Sequence, residues 1–175
     1  WLSLGTSFLA LIAGCISFVN SLETGFMVLY GENLGIGNIG IYFTVSAASM
    51  FLIRLITGKL FDRKGMSYVL YPALCLITLA MLLCGGAGPA LLLVLLLVCS
   101  TLKGVGQGSA QPALQTACLQ SVAPARRGVA SSTYYMGCDI GQGIGPMIGG
   151  VVAGQFGYAA IYFTAAAVML GGIGF

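Results

Sequence analysis

The stretch that decides the fold class is ALLLVLLLVCS, residues 90–100, in which only the final serine is a conventional polar residue. A surface helix of a soluble protein needs a polar face, and this run has none. The whole chain has the same character: 58% of its 175 residues are hydrophobic and 6% are charged, against about a quarter charged in soluble domains. Lipid is therefore the solvent that suits its surface.

On either side of that run, apolar segments between polar, Gly or Pro positions predict six helices. Each is long enough to cross about 30 Å of hydrocarbon. The predicted helices cover residues 3–30, 38–58, 67–85, 89–120, 128–153 and 157–175. Helices are favoured over a barrel because the apolar runs are long and do not alternate. We expect an all-α polytopic membrane protein, forming one six-helix bundle over residues 1–175.

The positions of the basic residues indicate how the bundle is oriented. The second connection holds three of them and the fourth holds two: Lys59, Arg63 and Lys64, then Arg126 and Arg127. Basic loops stay cytoplasmic. Both ends of the chain are therefore expected on the cytoplasmic side of a plasma or inner membrane. The two basic clusters indicate which loops are cytoplasmic; they do not indicate a nucleic-acid-binding surface. No histidine accompanies the six cysteines, so we expect neither a metal nor a cofactor.

Polar side chains recur on one face of several helices, where each is expensive in lipid. The predicted cavity residues are Lys103, Gln107, Gln111 and Gln115 on the fourth helix, Tyr135, Asp139 and Gln142 on the fifth, and Asn20 and Glu23 on the first. With Tyr42, Ser46 and Ser49 on the second helix, they predict one wet cavity bounded by helices one, two, four and five. The alternative is that glutamines bridge neighbouring helices while hydroxyls bond their own helix.

Two opposite charges, Lys103 and Asp139, lie near mid-depth of their helices. They either pair with each other or face the cavity separately. Asp139 is a hypothetical proton or substrate-cation site, because a carboxylate away from bulk water favours binding of a proton or a cation. Glu23 lies nearer the outer end of its helix, where it has either a cavity role or the role of an exposed rim charge.

The glycines of the fifth helix follow a strict four-residue spacing at Gly137, Gly141, Gly145 and Gly149. Such spacing predicts a groove in which another helix approaches at backbone distance. Pro146 removes one helix hydrogen bond and favours a kink beside it.

The connection between helices two and three reads GKLFDRKG, residues 58–65. It resembles the signature loop of the major facilitator superfamily, GxLxDRxGrk, although Met66 and Ser67 stand where the basic pair is usual. The resemblance implies a gating loop built on Gly58, Asp62, Arg63 and Gly65. In it the aspartate either caps a helix N-terminus or pairs with a basic group such as Arg54, Arg126 or Arg127, and so holds the cytoplasmic ends together in one state of the transport cycle. The alternative is a plain turn that anchors topology.

Residues 141–150, GQGIGPMIGG, look like the GxxxGPxxGG motif on helix five of many drug and metabolite exporters in the same superfamily, a motif that belongs properly to first halves. Other positions favour the second half. Ser100 stands where a first half would carry Arg, and the segment from Gln111 to Asp139 looks like helices ten and eleven of bacterial members. The resemblance therefore implies helices seven to twelve, the C-terminal half of a major facilitator fold. The other six-helix half of the same polypeptide would be its partner within the lipid bilayer.

The function that the resemblance implies is secondary active transport of a small molecule by alternating access. Efflux in exchange for protons is the first choice, with a proton or another ion as the coupling ion, and a metabolite or sugar symporter or importer is the second. A structural membrane subunit without transport activity is the competitor from another class. An enzyme is disfavoured, since the chain has no histidine and no close carboxylate pair.

Overall fold

The computed structural model describes residues 4–33, 35, 38–86 and 92–173. These residues form six α-helices and one short 3-10 turn, Pro124–Arg126, and the described part contains no strand. The helices are α1 Leu4–Asn33, α2 Gly40–Lys64, α3 Met66–Gly85, α4 Leu92–Gln120, α5 Arg127–Phe156 and α6 Tyr158–Ile173. The predicted all-α class is therefore confirmed, with one helix for each predicted span.

The largest departure from the predicted bounds is the end of α2, which runs six residues past the expected position 58. Nothing after Gly58 stops a helix until Gly65, whose φ of 85° turns the chain directly into α3. Most of the signature segment is thus the last turns of α2 and not a loop. α1 likewise continues to Asn33, which places its polar residues deeper in the bundle than expected.

The helices pack in pairs that reveal an internal repeat. α1 packs most extensively on α5 and α2 on α4, while α3 packs on α4 and α6 on α1 and α3. Exchanging the first three helices for the last three maps the α1–α5 pair onto α4–α2, and α3–α4 onto α6–α1. Two three-helix units that follow one another across a membrane run in opposite directions, so the pairing is that of inverted repeats. The amino-acid sequence shows no evident repeat between the same halves.

Small residues allow the α1–α5 pair to approach at backbone distance. Gly141 packs against the backbone of Gly14, and a Cβ on Gly14 would in turn stand 2.9 Å from the carbonyl oxygen of Gly137. Gly145 and Gly149 continue the contact toward Ser21, Leu22 and Phe26. α1 thus fills the glycine groove of α5, and Pro146 lies within the same continuous helix.

The α2–α4 pair also relies on glycines, which here lie on α4. A Cβ on Gly104 would lie 2.5 Å from the carbonyl oxygen of Ser46, and one on Gly108 would lie 3.0 Å from that of Met50. Gly106 serves the opposite side of α4, where a Cβ would stand 2.8 Å from the carbonyl oxygen of Ala73 on α3. The glycines of α4 therefore let α2 and α3 pack closely against it, with both backbone and side-chain atoms in contact.

Three described helices can cross a membrane by length and composition alone: Gly5–Asn33, Gly40–Phe61 and Met66–Gly85. α4 and α5 are 29 and 30 residues long and carry several glycines and polar side chains. α6 is apolar and is described over 16 residues.

The glycine groove predicts opposite effects for two neighbouring substitutions on α5. Gly141→Ala places a methyl against the Gly14 backbone and should lower stability by about 1–3 kcal/mol. Gly143→Ala meets nothing within 4 Å and should raise it by up to about 1 kcal/mol through helix propensity. Thermal unfolding in detergent measures both. Equal effects would show that α1 does not press on this groove.

Candidate functional site

A cavity of about 600 Å³ opens between four of the six helices. Its walls come from α1, α2, α4 and α5, and no described residue of α3 or α6 lines it. Its polar lining consists of Ser17, Asn20, Arg54, Thr57, Gln111, Gln115, Thr116, Tyr134, Tyr135, Asp139 and Gln142. Polar side chains from four helices therefore face one shared chamber.

Six of the nine predicted cavity residues line this chamber: Asn20, Gln111, Gln115, Tyr135, Asp139 and Gln142. Two hydrogen bonds join its α4 and α5 walls. The Gln115 amide nitrogen donates to the Tyr135 hydroxyl at 2.9 Å, and the Tyr134 hydroxyl donates to the Gln111 carbonyl oxygen at 3.3 Å. Asp139 is exposed to the chamber, and no basic nitrogen lies within 4 Å of its carboxylate among the described side chains.

The remaining three, Lys103, Gln107 and Glu23, lie away from the chamber in the packed interior. Glu23 is fully buried, with Lys103 Nζ 3.0 Å from its Oε2 and the Tyr42 hydroxyl donating to its Oε1 at 2.6 Å. The ammonium neutralises Oε2 as an ion pair, at an angle outside hydrogen-bond geometry. Lys103 therefore pairs with Glu23 and not with Asp139, and Glu23 is not a rim charge.

Helix geometry explains both departures from expectation. α1 continues three residues past its predicted end, so Glu23 lies about 15 Å from the last residue of the helix. Polar residues recur every four positions on α4, and each successive one is rotated by about 40° around the helix axis. Lys103 and Gln107 therefore face the packed interior, whereas Gln111 and Gln115 face the chamber. Gln107 keeps a buried Oε1 without a hydrogen-bond partner, beside a void of about 10 Å³ that Asn20 and Lys103 also border.

Arg54 is the lining residue that the sequence analysis assigned elsewhere, as a partner for Asp62. It shares the chamber-facing side of α2 with Thr57, Gly58 and Phe61, at spacings of three, four and seven residues. Little in the sequence signalled this position, because the predicted helix ended at residue 58 and put Arg54 only four residues from its end. The observed helix continues to Lys64, and an unpaired charge ten residues inside it must reach water or a counter-ion.

Comparison with known proteins identifies the family to which this chain belongs. Residues 9–175 match the family model described as Major Facilitator Superfamily. The chain belongs to the major facilitator superfamily. Over 156 residues it is 32% identical to the multidrug resistance protein MdtG of Proteus mirabilis, an alignment covering 85% of this chain and 38% of that protein. A 77-residue stretch is 38% identical to an uncharacterized MFS-type transporter of Burkholderia mallei, covering 44% of this chain and 19% of that protein.

The fold is that of one half of a major facilitator protein. A crystal structure of the peptide transporter POT in complex with sulfate matches with a TM-score of 0.79 over 97% of this chain and 36% of that one, at 21% identity. This likeness shows the fold alone. The chain thus spans little more than a third of the length of MdtG and of this transporter.

The signature segment of this superfamily chain is only partly described. Gly58 borders the chamber, Arg63 has an exposed side chain, and Gly65 makes the turn into α3. The Asp62 side chain lies outside the described residues, so its partner stays a prediction. Arg126 and Arg127, two of its expected partners, are exposed where α5 begins.

The buried charge pair predicts a non-additive pair of substitutions. Lys103→Met leaves the Glu23 carboxylate buried without its cation and should cost about 3–5 kcal/mol of stability. Adding Glu23→Gln should recover a large part of that loss, because the second change removes the unpaired charge. Denaturant unfolding of the single and double variants in detergent measures the coupling. Losses that simply add would show that the two side chains do not depend on each other.

Proposed function

We infer that this chain forms six helices of a secondary active transporter, which moves a small molecule by alternating access. The observation that carries the proposal is the polar chamber itself, enclosed by α1, α2, α4 and α5 and backed by a buried ion pair. In it, amide, hydroxyl and charged groups are available to a ligand within an otherwise apolar bundle. Membership of the major facilitator superfamily supports the same assignment.

The chamber has an open side, which a second six-helix unit would cover. α2 and α5 do not pack on each other in the described part of the chain, although both pack on α4. α2 and α5 also expose large apolar side chains, including Leu52, Leu55, Ile140 and Met147. We assign the chain to helices seven to twelve on the evidence of Ser100 and of the segment from Gln111 to Asp139. We assign both of its ends to the cytoplasmic side because the basic residues lie in the second and fourth connections. The covering unit is then the first half of the same polypeptide.

Efflux in exchange for protons is the transport mode that we favour. The alignment with MdtG, which is named a multidrug resistance protein, covers most of this chain. Asp139 has no basic partner within 4 Å among the described side chains, so its carboxylate is available to a proton or to a cationic substrate. One carboxylate that binds either, but not both together, couples the two movements.

Asp139→Asn tests this mode in the full-length polypeptide reconstituted in vesicles. The amide keeps the shape of the carboxylate but carries no proton, so substrate-driven proton flux should fall by at least about tenfold. The flux is read from a pH dye trapped in the vesicles while a panel of cationic, anionic and zwitterionic drugs is added.

Ser132→Ala is the matched control on the same helix. Its hydroxyl bonds the carbonyl oxygen of Gly128 in its own helix and does not border the chamber, so the flux should be unchanged. Unaltered flux and unaltered pH dependence in Asp139→Asn would rule out the assigned role.

A further inference from the structure

We propose that the chamber selects zwitterionic molecules, with Arg54 receiving the anionic end and Asp139 the cationic end. The proposal names the substrate class of the chamber and rests on the proposed function only for the step from binding to movement. Arg54 and Asp139 are the charged side chains among the described lining of the chamber. The lining therefore carries one charge of each sign.

The two charges lie at nearly the same depth. Arg54 is ten residues before the end of α2 at Lys64, and Asp139 is twelve residues after the start of α5 at Arg127. At 1.5 Å per residue these positions are about 15 Å and about 18 Å along their helices. The second and fourth connections lie on the same side of the membrane, so both depths are measured from one surface. A ligand lying across the chamber can therefore meet both groups.

The two charges also stand on opposite walls. No Cα atom of α2 comes within 8 Å of one in α5 in the described part of the chain, while α4 lies between them and packs on both. Arg54 and Asp139 form no ion pair at 4 Å, and both side chains are exposed to the chamber. Their charged groups are thus more than 4 Å apart and are available to a ligand.

The contrast with Glu23 and Lys103 makes this separation informative. Those two opposite charges meet at 3.0 Å and are almost fully buried, which is the usual way to neutralise charge inside a membrane bundle. Arg54 and Asp139 share a chamber without meeting. A singly charged ligand can pair with only one of them, whereas a zwitterion of the right length can pair with both.

The rest of the lining suits the neutral middle of such a molecule. Gln111, Gln115, Gln142 and Asn20 offer hydrogen bonds without net charge, and the aromatic rings of Phe61, Tyr134 and Tyr135 offer apolar contact. The chamber thus presents opposite charges at two walls with uncharged surface between them.

The first experiment measures binding to the purified full-length transporter in detergent. The probes are unbranched ω-amino acids from aminobutanoate to aminooctanoate, each compared with the alkylamine and the alkanoate of the same length. The zwitterion should bind at least about tenfold more tightly than either singly charged analogue at its best length. Because length sets the charge separation, affinity should pass through a maximum along the series.

Charge-neutralising variants assign the two ends. Arg54→Gln should reduce affinity for the zwitterion and leave affinity for the alkylamine unchanged. Asp139→Asn should also reduce affinity for the zwitterion, but leave affinity for the alkanoate unchanged. Lys59→Gln and Glu32→Gln remove the same charges from exposed positions outside the chamber and serve as controls. Retained binding of the matching analogue also shows that each variant is folded.

The proposal is overturned if the zwitterions bind no more tightly than their singly charged analogues, or if none of the probes binds. It is also overturned if Arg54→Gln changes zwitterion affinity no more than Lys59→Gln does. Reconstituted vesicles separate this result from the proposed function. If zwitterions bind but do not cross the membrane, the selectivity proposal stands and the transport assignment is wrong. If only singly charged molecules are transported, the transport assignment stands and the selectivity proposal is wrong.

Discussion

Charge inside an apolar bundle must be neutralised or must reach water, and this constraint organises the interior of the protein. In the packed part of the bundle, Glu23, Lys103 and Tyr42 satisfy it by joining α1, α4 and α2 in one buried network. In the chamber, Arg54 and Asp139 satisfy it by exposure. α1, α2 and α4 thus contribute both to a closed region and, together with α5, to an open one, and the two regions differ in how their charges are compensated.

Close packing of small residues makes that arrangement possible. Glycines on α5 admit the backbone of α1, and glycines on α4 admit the backbones of α2 and α3. The two pairs correspond under exchange of the three-helix units, although their glycines lie on helices that do not correspond, α5 and α4. With α1 and α4 held at backbone distance by their neighbours, the polar side chains of both are directed to the middle of the bundle, and α3 and α6 support them from outside.

Continuity between the buried network and the chamber runs along α4. Lys103 and Gln107 belong to the interior, Gln111 and Gln115 to the chamber, and Asn20 borders both the small void and the large cavity. The unpartnered Oε1 of Gln107 lies at that boundary. A rearrangement of α1 against α4 would therefore alter both regions together, which is the coupling that an alternating-access cycle requires.

The sequence by itself determined the membrane class, the number of helices and the helices that surround the chamber, because hydropathy and helical spacing are local properties of the chain. It also indicated that Asp139, Gln111 and Gln115 line the chamber, since an unpaired polar group at mid-depth is costly unless it faces water or protein. The partner of Lys103, the burial of Glu23 and the place of Arg54 were decided only by tertiary structure. Each of these three features depends on which helices are neighbours and on where each helix ends. Extending α1 by three residues, or rotating a position on α4 by about 40°, is enough to move a side chain from a cavity into the packed interior. The inverted pairing of the helices is likewise visible only in the fold, because backbone contacts at glycine constrain shape while leaving most side chains free to differ between the two units.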